Sequence, residues 1–261
     1  MHDPTVRDPA TPDPATQEPY FRDPERDAFD VRPSADELLA RLHAEGQSGR
    51  GRLRVYLGMA PGVGKTFRML EEGHRRVDRG TDLVVGYAEC HGRPNTVRLL
   101  EGLEVIPRAS VEYRGVVLEE MDTNAVIARR PTVVLVDELA HTNIPGSSRG
   151  KRWQDVEAIR DAGIHVVTTL NVQHLDSVAD AVATITGAPV HERLPDEVLR
   201  DADEVELVDM SPHALRQRMR HGNVYPPERT AVALDKFFTE PNLTALREIA
   251  LRLAAQRVEG Q

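Results

Sequence analysis

Arg52 to Thr66 reads RLRVYLGMAPGVGKT. Its first half, Arg52 to Gly58, has the short apolar and β-branched character of a buried strand. A helical pattern runs from about Lys65 to Val77 and is closed by Gly80. Between them lies a glycine-rich turn. In such a strand–loop–helix unit the loop's backbone N–H groups converge on an anion, glycines allow the wrap without Cβ clashes, and the helix adds its positive end. Gly62, Val63 and Gly64 form the cradle. Lys65 is placed to neutralise β- and γ-phosphate oxygens, and the Thr66 hydroxyl to ligate Mg²⁺. Against G-x-x-x-x-G-K-[ST] the match is near rather than complete, because the first glycine position falls on Met59, with Gly58 one residue earlier. A ligand-free glycine turn is the competing reading.

Further short apolar runs follow at Leu83 to Ala88, Thr132 to Val136, Ile164 to Thr169 and Val205 to Val208. Helical patterns intervene around Thr96 to Leu100, Asp122 to Arg129, Trp153 to Asp161 and Leu175 to Thr186. The alternation implies an α/β fold, a P-loop NTPase-like, mostly parallel sheet of five or more strands with flanking helices. A small β insertion is expected at Leu103 to Ile106, Val111 to Tyr113 and Val116 to Leu118, turning at Arg114-Gly115. The third core strand ends in Val136-Asp137-Glu138. At the carboxyl edge of a parallel sheet, Asp137 would hold Mg²⁺ directly or through water, and Glu138 would orient or deprotonate an attacking water. Thr168, Thr169 and Asn171 end the fourth strand, where they would sense a γ-phosphate; Asn171 has the alternative of capping the next helix.

The chain has 261 residues, long enough for a substantial core, and 33 basic against 42 acidic residues leave it at −9. That balance argues against nucleic acid as a partner. No apolar run approaches the roughly 18 residues that span a bilayer, and no basic-then-apolar leader is seen, so a cytoplasmic protein without membrane insertion is expected. Cys90 stands alone and reads as a packing residue. The histidines are too scattered for zinc spacing. Arg149, Lys151 and Arg152 read as a solvated basic loop. Residues 1–33 carry seven of the 18 prolines, with acidic-Pro pairs every five residues from Asp3-Pro4 to Asp23-Pro24, the composition of a disordered tail. Ser34 and Glu37 make a capping-box pattern for a short helix ending at Gly46. Residues 34–210 are expected to form the nucleotide-binding domain, and 211–261 a helical extension. In that extension Leu243, Leu246, Ile249, Ala250 and Leu253 share one helix face, which needs either the body or a following domain to cover it.

These stretches, with VVGYAECHGRP (84–94), GLEVIP (102–107), LVDELAHTN (135–143), KRWQDV (151–156), TTLNVQH (168–174), ELVD (206–209) and NLTALRE (242–248), resemble the N-terminal cytoplasmic domain of the KdpD family of potassium-responsive sensor histidine kinases. The resemblance implies an ATP-binding P-loop module that regulates the kinase and phosphatase balance of the sensor. By position it assigns Gly62, Gly64, Lys65 and Thr66 to the phosphate loop and Asp137 and Glu138 to the acidic pair. Met59 stands where relatives have a small residue. Relatives continue into a stress-protein-like domain, membrane helices and the kinase. The chain is therefore expected to act in trans on a separately encoded histidine kinase, or to be a truncation. A P-loop small-molecule or nucleotide kinase, and a scaffold with a vestigial loop, are the alternatives.

Overall fold

The computed structural model describes residues 49–90, 93–221 and 227–259. The Asp/Pro-rich tail, the helix at Ser34 to Gly46, and His91 with Gly92 lie outside them. Six strands make one parallel sheet: β1 (Leu53–Gly58), β2 (Leu83–Tyr87), β3 (Glu104–Val105), β6 (Val133–Val136), β7 (His165–Asn171) and β8 (Glu204–Leu207). Their order is β3-β2-β6-β7-β1-β8. β4 (Ala109–Tyr113) and β5 (Val116–Glu120) form a separate antiparallel hairpin. Every residue of β2 and β6 is buried, which is why these strands read as unbroken apolar runs: helices cover both faces.

Helix α1 (Lys65–Val77) lies on the sheet, burying Met69 and Leu70. It is followed by α2 (Pro94–Arg98), α3 (Thr123–Arg129), α4 (Arg152–Asp161), α5 (Asp176–Thr186), α6 (Asp196–Arg200), α7 (Pro212–Arg220), α8 (Pro227–Asp235) and α9 (Glu240–Glu259). The α6 helix falls in a stretch where the sequence shows no helical repeat. Its five residues complete little more than one turn, too few to display one.

One expectation changes. The Leu103 to Ile106 segment is not part of a separate insertion. It joins the main sheet as an edge strand, with Leu103 and Ile106 buried at either end and the Ile106 N–H donating to the Val85 carbonyl at 2.9 Å. The hairpin remains, turning at Arg114 (φ 51°) and Gly115 (φ 76°), both left-handed as a tight two-residue turn requires. The terminal helix α9 buries Leu243, Leu246 and Ala250 against α7, β8 and β1, so the body itself supplies that face's cover.

Strand order positions the site. From β1 the chain crosses to β2, fills the gap with β6 and β7, then passes to the other side of β1 with β8. Connections leaving β1 and β7 therefore run in opposite directions. Such a switch opens a crevice at the carboxyl ends of the two neighbours. Gly58 and Asn171, the last residues of β1 and β7, are register partners there.

Candidate functional site

The loop between β1 and α1 is shaped by three glycines. Gly62 (φ 89°) and Gly64 (φ 105°) occupy left-handed conformations that a side chain would strain. A Cβ on Gly58 would stand 2.7 Å from Val63 Cγ2, so the chain's return over the strand end requires glycine at 58. The Met59 side chain is buried in the core instead. The loop thus places its tight contact one residue before the usual position, which accounts for the departure at Met59. Val63 also turns inward, leaving its backbone for the cradle. Gly64 caps α1 without a side-chain hydrogen bond, the arrangement in which first-turn N–H groups serve an anion.

Lys65 and Asp137 converge below this loop. The Lys65 ammonium donates to the Ala60 carbonyl at 3.2 Å and to Asn171 Oδ1. Burial pushes its pKa down to about 8, with Arg93 acting in the same sense and Asp137 opposing. Asp137, 1% exposed, accepts from Thr66 Oγ1 at 2.9 Å, from Thr169 Oγ1, and from the Glu89 N–H at 3.2 Å. Burial and then the neighbouring Glu138 nonetheless hold its carboxyl above the ordinary value. Both groups are thus held where burial disfavours their charged forms.

The donor set suits Mg²⁺. Thr66 Oγ1 and Asp137 Oδ2 are two hard oxygens at one end of the cleft, and this ion takes one or two protein ligands beside phosphates and waters. Among the described residues no cluster of three or more His, Cys, Asp or Glu side chains offers a metal cage.

A cleft of about 310 Å³ opens from Pro61, Gly62, Lys65 and Thr66 across Asp137 and Glu138 to Asn171 and Glu192. Glu138 adopts φ 59°, rare for a residue with a side chain, and its N–H donates to Thr169 Oγ1 at 3.1 Å. Asn171 makes no capping bond; its side chain receives Lys65 instead. Thr168 is fully buried in β7 and is not among the residues lining the cleft. Strand alternation gives the Asp137 contact to Thr169, two residues from Asn171. Cys90 is buried, and burial raises its thiol pKa, consistent with packing.

The solvated basic loop is also revised. Arg152 is 0% exposed: its guanidinium donates to Glu120 Oε1 at 2.5 Å and to the Asp137 carbonyl at 3.3 Å, and lies 3.7 Å from the Tyr87 ring centre. Arg149 pairs with Asp155, and Lys151 donates to Thr142 Oγ1. The partners of Arg149 and Lys151 are local, whereas those of Arg152 come from β5 and β2, 32 and 65 residues earlier. His141 stands between Glu120 (3.2 Å) and Glu192 (3.5 Å), and those hydrogen bonds raise its pKa to about 9.

A family model described as "Osmosensitive K+ channel His kinase sensor domain", KdpD, matches residues 49–258. The chain belongs to this KdpD family. It is 60% identical over 202 residues to a sensor protein KdpD of Mycobacterium tuberculosis, covering 77% of this chain and 24% of that protein. Over 210 residues it is 50% identical to a putative sensor protein KdpD of Synechocystis, covering 80% and 57%. With the Escherichia coli sensor protein KdpD the identity is 48% over 231 residues, covering 88% and 26%. The chain spans about a quarter of the first and last of these relatives and over half of the second.

In this KdpD-family domain the loop, Lys65, Thr66, Asp137, Glu138 and Asn171 meet at one crevice. The sequence reading missed the buttress of Glu120, His141 and Arg152, for which the strand-by-strand pattern carries no signal. Among the described residues no helix is long and apolar enough to cross a membrane.

Proposed function

We propose that this KdpD-family domain is a cytoplasmic ATP·Mg²⁺-binding regulatory module of a potassium or osmotic two-component system, whose occupancy biases a sensor histidine kinase. One observation carries the reading: buried Lys65 and Asp137 meet Thr66 at the mouth of a glycine loop, each with its charge disfavoured. In that role the loop amides and Lys65 hold phosphate oxygens, Thr66 and Asp137 hold the metal, and Asn171 orients Lys65. Thr66 and Asp137 would hold Mg²⁺, whose charge would offset that of the phosphates when bound. Glu138, kept at the cleft by its strained backbone, is the residue for slow hydrolysis.

The names of the relatives support the pathway, and the loop geometry supports the ligand. Occupancy can shift the kinase no further than the difference in ATP affinity between its conformations. Calorimetric titration is the test. Saturable Mg·ATP binding that is lost in Lys65→Ala supports the module; absence of binding, or equal binding by the variant, rejects it. Acceptor-dependent release of ADP would instead favour a phosphotransferase.

A further inference from the structure

Helix α7 is fixed by Leu215 and Met219, both 0% exposed, and capped by Ser211, whose hydroxyl accepts from the Ala214 N–H. It follows β8, which runs parallel to β1 with Leu57 and Leu207 in register, so α7 starts at the same sheet edge as the phosphate loop. Arg218 is one residue before Met219 on this helix and only half-buried. Its Nη1 lies 3.6 Å from the point a Cβ on Gly64 would occupy. Arg54, Arg129, Arg152 and Arg247 are each tied to carboxylates. Arg218 makes no hydrogen bond or ion pair among the described residues.

We propose that Arg218 is a phosphate ligand supplied by the C-terminal helices, completing the nucleotide site from the side opposite the acidic pair's strand. The inference rests on the ATP reading above and deepens it. A planar guanidinium with five donors beside an anion cradle suits phosphate oxygens. Its helix also transmits the contact. Two residues earlier on the same helix, Arg216 donates to the Leu234 carbonyl at 3.1 Å and to the Phe238 carbonyl, and α9 packs on α7. Engagement of Arg218 therefore holds the terminal helices in one position relative to the loop.

The test uses the full chain in four forms: wild type, Arg218→Ala, Arg218→Lys and Lys65→Ala. Mg·ATP affinity is measured by titration, and hydrogen exchange is followed across residues 240–259 with and without the ligand. Arg218→Ala should weaken Mg·ATP tenfold to a hundredfold, as loss of a charge-assisted contact does. Arg218→Lys should recover part of that loss. Ligand-induced protection of residues 240–259 should vanish in Arg218→Ala, while its unliganded melting temperature stays within about 2 °C of wild type. If wild type saturates, Lys65→Ala does not, and Arg218→Ala binds and is protected like wild type, this proposal alone fails. Weak binding with a lowered unliganded melting temperature and no rescue by lysine would mark Arg218 as structural and also overturn it. If wild type shows no saturable binding, this proposal and the ATP reading fall together.

Discussion

Lys65 with Asp137, and Arg152 with Glu120, are buried cations and carboxylates on opposite sides of the same strand end, yet their surroundings move them in opposite senses. Glu120 receives Arg152 at 2.5 Å, the Met121 N–H at 3.0 Å and the Ile144 N–H at 3.3 Å, with His141 at 3.2 Å. Against the penalty of burial, those donors hold its carboxyl down to about 2. Glu192 is held to about 2 as well, burial being outweighed by His141 and the Thr142 N–H. For Lys65 and Asp137 burial wins. Glu120 is held by a guanidinium, an imidazole and backbone N–H groups, whereas Asp137 accepts from two neutral hydroxyls and one N–H, and these do not offset its burial.

Breaking the Arg152–Glu120 side should have the largest effect on stability. Arg152→Ala leaves Glu120 buried without its guanidinium partner and should cost about 3–5 kcal/mol of unfolding free energy in a denaturant titration. The Lys65–Asp137 side should show the reverse pattern. Lys65→Met should reduce Mg·ATP affinity by roughly a hundredfold or more, while the unliganded protein keeps its stability or gains up to about 1 kcal/mol, since a buried ammonium is removed.

The pH dependence sharpens the contrast. His141, ordinarily at 6.5, is raised to about 9 between Glu120 and Glu192, with Arg152 opposing. Its contribution is complete below about pH 6.5 and fades as pH climbs through 9. The two carboxylates, lowered from 4.5 to about 2, contribute fully above 4.5 and lose that contribution as pH falls toward 2. Stability from this cluster should therefore plateau between pH 4.5 and 6.5 and fall by on the order of 2 kcal/mol by pH 9. Urea unfolding across pH would show it, and His141→Gln should flatten the alkaline slope. The smallest effect belongs to the metal side: Asp137→Asn should weaken ATP about tenfold in Mg²⁺ and little in its absence, measured by paired titrations.

How much of this was legible depends on range. The β1–loop–α1 unit could be read because its strand pattern, glycines and Lys-Thr pair are contiguous. Asp137 could be read from the apolar run that delivers it. Composition does not reveal strand parity, so Thr168 stands beside Thr169 as a candidate, although spacing by two from Asn171 favours Thr169. Arg152 looked solvated since its partners, Glu120 and Tyr87, lie 32 and 65 residues earlier in the chain. The β3 strand is legible as β, but its two exposed residues show no alternation, so only its pairing with β2 assigns it to the main sheet. Arg218 carries no motif; its place beside Gly64 exists only after β8 has docked beside β1.

Thermal unfolding with and without Mg·ATP tests most directly whether the Lys65 and Asp137 side is incomplete by itself. At about a hundredfold excess over the dissociation constant, wild type should gain roughly 5–10 °C in melting temperature, and Lys65→Met should gain nothing. A wild-type midpoint that stays fixed across millimolar Mg·ATP would contradict the claim that these buried charges await a nucleotide.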